Sequence, residues 1–390
     1  MSEARAVLTC LTLLALGCAS APWRASTATV APEDLLSGAP LALPHGAPST
    51  ADEAPVLAVS AAMQRFLDDH VSRGASAMTR LRQLTSAIMS EESFGLTYDE
   101  TTRTASGTFH ARRGNCLSFS NMFVALARRV GLKVSFQEVD TPPDWSLRND
   151  AFVLNRHVNV FADVGTDGEH VVDFNMADFR TSYDRRVISD ERALAHFHNN
   201  VAVERMQAGD VTSAFRHFRG AIHHDPSFSP AWTNLGTLYS REGHPAYAEA
   251  AYQQALEVDP HDLVAMSNLA SLLERQGEGQ RASRLRRRVE DHRHRNPYYR
   301  YQLARQAFDS HDYDAAIGHL RYAVRKKKTE DRFYFLLGLC HMRKGETRKA
   351  EHYLAKAKEV AATDAMKRRY ADKLDILLAA SPRDVRPRPE

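Results

Sequence analysis

Cys116, His157 and Asp173 are the residues whose types and order could do chemistry. A thiol is a useful nucleophile only as its thiolate. An imidazole can take the thiol proton and return it to a leaving group. A carboxylate can hold that imidazole in orientation and stabilise its cation. Cys116 stands near the start of GNCLSFSNMFVALARRVGL, His157 within RHVNV and Asp173 within VVDF. Cys, His and Asp in this order, on a helix and two strands, form a candidate thiol triad for cleaving or transferring an acyl group at an amide.

The elements around them are legible from periodicity. Asn115 can cap a helix whose buried face is Phe119, Met122, Phe123, Leu126 and Val130, and Gly131 ends it in the left-handed region. A helix start places unpaired N–H groups and a partial positive charge beside Cys116. LKVSFQEV alternates as a strand, TPPDWSLRND reads as a loop, AFVLNRHVNVFADV as a second strand, GTDGE as a turn and HVVDFNM as a third strand. Period two puts Asn155, His157 and Asn159 on one face. A five-residue connection over 164–168 would set Asp173 opposite Asn159, one diagonal step from His157; a two-residue turn would send it to the wrong face. The backbone N–H of Cys116 is the first candidate oxyanion donor, with Gln137 or Asn115 as a second. Upstream, Val59, Met63, Phe66 and Leu67, then Met78, Leu81, Leu84 and Ile88, recur as two helices, and the polar stretch 97–115 is read as partly looped.

The C-terminal half repeats every 34 residues, with starts near 195, 229, 263, 297 and 331. Trp232, Leu235, Gly236, Tyr239, Ala248, Tyr252 and Pro260 stand at the positions of the tetratricopeptide pattern. Small residues let the two helices of a hairpin touch, and large ones fill the gap to the next hairpin. Met366–Ala380 reads as a capping helix. Asn199, Asn234, Asn268 and Gln302 recur at one position of repeats one to four, where amides could bind a peptide backbone from a concave groove. Arg286, in a basic second helix, replaces a usual apolar residue.

GNCLSFSNMFVALARRVGL, RHVNVFAD and VVDF together resemble the cysteine helix, histidine strand and aspartate strand of the transglutaminase-like superfamily. The resemblance implies Cys116 as nucleophile, His157 as base and Asp173 as orienting acid. The chain departs from that pattern at Asn159, where many members carry an aromatic residue. The expected architecture is an α+β transglutaminase-like (papain-like) domain over 56–190, then an all-α tetratricopeptide-repeat solenoid over 195–380. The segment 1–18 is read as a signal peptide, 19–55 as a disordered linker rich in Ala, Pro, Ser and Thr, and 381–390 as a flexible tail.

Composition bounds the partners. The 390 residues are 43% hydrophobic and 25% charged, with a formal net charge of +3, which gives no argument for nucleic acid. The 18 histidines show no metal-ligand spacing, and no cofactor is expected. The apolar run Ala6 to Gly17 has the length of a secretory segment and stops at Cys18, which resembles a bacterial lipobox. The expectation is an exported, periplasm-facing lipoprotein of the outer membrane, held through Cys18, whose repeats bind a protein or peptide. Of four cysteines, only Cys116 and Cys340 lie beyond that leader, in different domains, so no disulfide is implied. The leading activity is a thiol hydrolase or acyltransferase; the competing reading is a non-catalytic repeat adaptor with a degenerate first domain.

Overall fold

The computed structural model describes residues 30–43, 55–90, 94–140, 144–148, 151–153, 157–174, 183–361 and 363–380. Cys18, Asn155 and the tail 381–390 lie outside the described residues.

The first domain begins with α2 (Ala61–His70) and α3 (Ala77–Met89), which follow α1 (Pro32–Ser37) described below. Ser60 and Ser76 cap the two helices through their hydroxyls. The stretch read as partly looped contains β1 (Thr97–Tyr98), α4 (Ala105–Ala111) and β2 (Arg113–Gly114). Next comes α5 (Cys116–Arg129), started by Asn115, whose Oδ1 accepts from the Ser118 N–H. Gly131 leaves it at φ +74°.

The sheet behind α5 has the order β7-β6-β3-β8, all antiparallel: β3 (Lys133–Val139), β6 (His157–Asp163), β7 (Glu169–Val172) and β8 (Arg185–Ile188). The region read as a loop after β3 carries β4 (Asp144–Arg148), which pairs with β5 (Ala151–Val153) as a separate ribbon. The two prolines precede β4, so they bound that strand instead of forbidding it. Of the stretch 151–164 read as one strand, the described residues form β5, paired with β4, and β6, paired with β3 and β7. Phe119, Met122, Phe123 and Leu126 of α5 meet Phe136, Val158 and Val160 of the sheet in one buried cluster.

The repeats form five hairpins: α6 (Asp190–Gln207) with α7 (Val211–His224), α8 (Ser229–Arg241) with α9 (Pro245–Val258), α10 (Leu263–Arg275) with α11 (Gly279–Arg295), α12 (Pro297–Asp309) with α13 (Tyr313–Lys326), and α14 (Asp331–Arg343) with α15 (Thr347–Val360). Helix α16 (Asp364–Ala380) packs on α15. The first helix starts at Asp190, before the expected 195, because the Ser189 hydroxyl caps it by accepting from the Arg192 N–H. Ala193 and Phe197 of this helix belong to the first domain's core, while Ala195 and Ala202 belong to that of the repeats. One helix thus serves both domains. Its neighbour Glu138 on β3 takes bonds from Arg192 (2.9 Å) and His196 (2.7 Å), and from Arg186. Arg192 also reaches Asp225 at 2.8 Å.

The expectation of a disordered linker over 19–55 fails for residues 30–43. Pro32–Ser37 is helical, and Leu35 is 1% exposed within the core of repeats one to three. The Tyr239 hydroxyl donates to the Leu35 carbonyl at 2.6 Å. The stretch is dominated by Ala, Pro, Ser and Thr, but Leu35, Leu36, Leu41 and Leu43 fall close together. Local apolar area, not average composition, decides docking.

Candidate functional site

Cys116 is the first residue of α5 and is half-buried. Asn115 fixes this start: its Oδ1 accepts from the Ser118 N–H and hydroxyl, both at 2.9 Å, and its Nδ2 donates to Thr102 Oγ1 at 2.8 Å. With its amide so engaged, Asn115 is not available as an oxyanion donor. Gly114 must be glycine, because a Cβ there would sit 2.6 Å from Ser118 Cβ. The Ser120 hydroxyl lies 2.9 Å from the Cys116 carbonyl and 3.1 Å from that of Val158, which ties the cysteine turn to β6.

His157 opens β6. Its Nε2 lies 2.6 Å from Asp173 Oδ2. The register Val160↔Val172 and Asp163↔Glu169 leaves the five residues 164–168 as the connection. Continued by one step, it sets Asp173 opposite Asn159, on the face of His157. The Asn159 amide donates to the same Asp173 Oδ2 at 2.9 Å. Asp173 is 2% exposed and His157 22% exposed.

Electrostatics complete the relay. Burial disfavours the Cys116 thiolate, but hydrogen bonding and charge from His157, with the Val158 backbone, outweigh it and hold the thiol below its ordinary value. Burial likewise opposes charge on His157, yet the bonds to Asp173 and Cys116 push its pKa up to about 10. Both directions favour a thiolate–imidazolium pair. Such a pair can attack an amide carbonyl and protonate the departing amine.

Sequence reasoning missed Tyr98. The two-residue β1 pairs in parallel with β2, with Tyr98 beside Gly114 just ahead of Cys116. Its ring stacks on Phe174 at 6.3 Å, and its hydroxyl is raised by burial and by the neighbouring Cys116. Tyr98 is 61% exposed, which places it on the rim of the thiol site. Gln137 faces Asn159 across β3 and β6; its Oε1 and Asn159 Oδ1 have no hydrogen-bond partner among the described residues. No group of side chains there could hold a metal among the described residues.

Three of the recurring amides of the repeats are engaged in bonds from one hairpin to the next. Asn234 Nδ2 donates to Asn199 Oδ1 at 2.9 Å, and Asn268 Nδ2 to Thr237 Oγ1 at 3.3 Å. Gln302 lies half-buried on α12. Arg286 is exposed and pairs with Glu274, so the departure in repeat three gives a long, solvated second helix.

The model of the transglutaminase-like superfamily matches residues 65–170, a span that includes Cys116 and His157 and stops before Asp173. Tetratricopeptide-repeat models match 229–262 and 301–365. The first domain is transglutaminase-like, and the second is a tetratricopeptide-repeat solenoid. Superkiller protein 3 of Schizosaccharomyces pombe is 31% identical over 81 residues, which are 21% of this chain and 6% of that protein. Among solved structures, MamA from Desulfovibrio magneticus RS-1 is 17% identical, covering 44% of this chain and 96% of that one, with a TM-score of 0.25. YrrB, described as a repeat protein with an unusual peptide-binding site, is 17% identical, covering 46% and 92%, with a TM-score of 0.24. PilF of Pseudomonas aeruginosa is 16% identical, covering 49% and 90%, with a TM-score of 0.26. Among the described residues no helix is long and apolar enough to cross a membrane.

Proposed function

We propose that the protein is a thiol hydrolase or acyltransferase that acts on an amide bond of a protein or peptide. The observation that carries this reading is the relay from Asp173 to His157 to Cys116 at a helix start. The Cys116 sulfur attacks the amide carbonyl carbon, and the His157 proton passes to the departing amine as the C–N bond breaks. The resulting thioester is then opened by water or by a second amine, whose proton returns to His157. Asp173 keeps the imidazole oriented and its cation stable throughout. A non-catalytic adaptor would have no use for a buried carboxylate bonded to a histidine that in turn lowers a thiol.

The repeats serve to bind the substrate protein or a partner. The chain is proposed to act in the cell envelope of a bacterium, exported and lipidated at Cys18, on the strength of the apolar run that stops at that residue. A Cys18→Ser variant is then expected to lose lipid labelling and leave the membrane fraction; an unaltered chain already soluble and starting elsewhere overturns the anchor. For the chemistry, the decisive measurement is labelling by an iodoacetamide probe at neutral pH. The unaltered chain should react at Cys116 rapidly, and His157→Ala slowly. Equal rates, or no labelling of Cys116 at all, would remove the enzyme reading.

A further inference from the structure

Tyr183 and Asp184 precede β8 in the first domain, yet their side chains are held by repeats four and five. Lys327 Nζ bonds Asp184 Oδ2 at 3.0 Å. Arg332 Nη2 donates to the Tyr183 hydroxyl at 3.3 Å, with its guanidinium 5.9 Å from the Tyr183 ring centre. Tyr298 meets the same ring edge-on at 6.2 Å and 76°. The socket is built from within the repeats: the Arg332 guanidinium lies 5.8 Å from the rings of both Tyr298 and Tyr301, and it bonds Glu330, which is fully buried, at 2.5 Å. Its aromatic and cationic walls therefore stand without help from the first domain.

The geometry points to this socket as a recognition site for an extended protein segment that carries an aromatic residue followed by acidic ones, with Tyr183 and Asp184 as its resident occupant. Three observations carry this. The contact is made by two adjacent side chains, an aromatic ring and a carboxylate, each with its own cationic partner, Arg332 and Lys327. Cation–π contact and a charge-assisted bond supply the recognition. The surroundings also carry more positive charge than the one carboxylate of the resident that bonds Lys327. Lys327 belongs to the run Arg325, Lys326, Lys327 and Lys328, of which the other three are exposed. The resident offers this run the Asp184 carboxylate and then turns into β8, where Arg186 pairs with Glu138. A segment with further acidic residues after the first carboxylate would gain attraction to the exposed cations of this run. Asp184 is 82% exposed, so its bond to Lys327 is open to competition.

The inference shares with the proposed function only the premise that the repeats bind a protein segment. Its failure would leave the thiol chemistry standing, because Cys116 alkylation is read separately.

The test uses the full chain and a fluorescein-labelled hexapeptide, TSYDEE, in which residues 181–184 are followed by two glutamates. Anisotropy should show at least tenfold tighter binding to a Tyr183→Ala/Asp184→Ala chain than to the unaltered chain, because the resident competes at a high effective concentration. Adding Lys327→Ala to the opened chain should weaken binding at least tenfold, as should the peptide TSADEE. Thermal unfolding monitors the fold. If the double variant does not fold, Asp184→Lys, which sets two cations against each other, gives the same readout. No saturable binding at millimolar peptide, equal binding by opened and unaltered chains, or indifference to Lys327→Ala overturns the proposal.

Discussion

A thiol at a helix start becomes a nucleophile only if its proton has somewhere to go, and His157 is that place. The sign follows from the shifts. Cys116 is held below its ordinary value, so its thiolate persists to lower pH than in a free thiol. Reactivity should be present at neutral pH and fall as pH drops through that lowered value. Without the imidazole, His157→Ala returns the thiol toward its ordinary range, and alkylation at neutral pH should fall about tenfold for each pH unit recovered. A pH–rate profile of labelling by mass spectrometry reads both limbs; superimposable profiles would contradict the pairing. Asn159 acts one step further back, as a positioning residue that shares Asp173 Oδ2 with His157. Asn159→Leu keeps the bulk and removes the donor. It should lower the labelling rate less than His157→Ala and move the profile toward higher pH, whereas a merely structural role would leave the midpoint in place. The parity of His157 and Asp173 was legible in the sequence because strands have a period of two and the connecting loop is short. Tyr98 was not, because a two-residue parallel pairing leaves no periodic trace.

At the scale of elements, the repeats were the most legible part, since each hairpin must place a small residue where its helices touch. At Gly236 a Cβ would stand 2.8 Å from the Tyr252 ring and 3.2 Å from the Ala248 carbonyl. Gly236→Leu is therefore expected to cost roughly 1–3 kcal/mol or more from overpacking, seen as a lower thermal midpoint. An unchanged midpoint would mean that α8 and α9 do not pack as described. Strands β4 and β8 and the docked α1 were the illegible elements. The strands are short, and α1 and the turn after it carry four leucines, at 35, 36, 41 and 43, inside a stretch whose composition argues for disorder. What holds α1 is specific. Tyr239→Phe removes the donor to the Leu35 carbonyl and leaves that buried oxygen unpaired, at a cost of about 1–3 kcal/mol. The segment 30–43 should then be cut faster in limited proteolysis while the rest of the repeats resists. Cleavage at the unaltered rate would show that the apolar contacts alone secure it.

For the whole molecule, the joint between domains decides how it responds to acid. Helix α6 runs through both cores, and α7 packs along it. Between them lie His198 and His217, with Nδ1 atoms 3.0 Å apart, and His224 stacked on His198 at 5.3 Å. Burial, then the neighbouring imidazoles and Arg216, hold His198 down to about 3. Burial, then Arg216 and Arg205, hold His217 down to about 4, against a small opposing effect of Asp210. His224 is lowered by burial and His223, with Glu191 opposing. In the unfolded chain these histidines take protons near pH 6.5. The unfolded state thus binds more protons than the folded one between about 6.5 and 4, and stability falls as pH falls through that window. Below it Glu138 adds to the loss, because its carboxylate is held well under the usual range despite burial by His196, Arg192 and Arg186. His157 acts in the opposite sense: with a folded value of about 10, its contribution is intact in acid and disappears only as pH rises through that value. Acid should therefore loosen the domain joint. The urea midpoint is expected to drop from pH 7 to pH 4.5, and His198→Leu should flatten that slope by removing the most depressed of the three histidines. A variant with the full parental slope would place the acid lability elsewhere than at this joint.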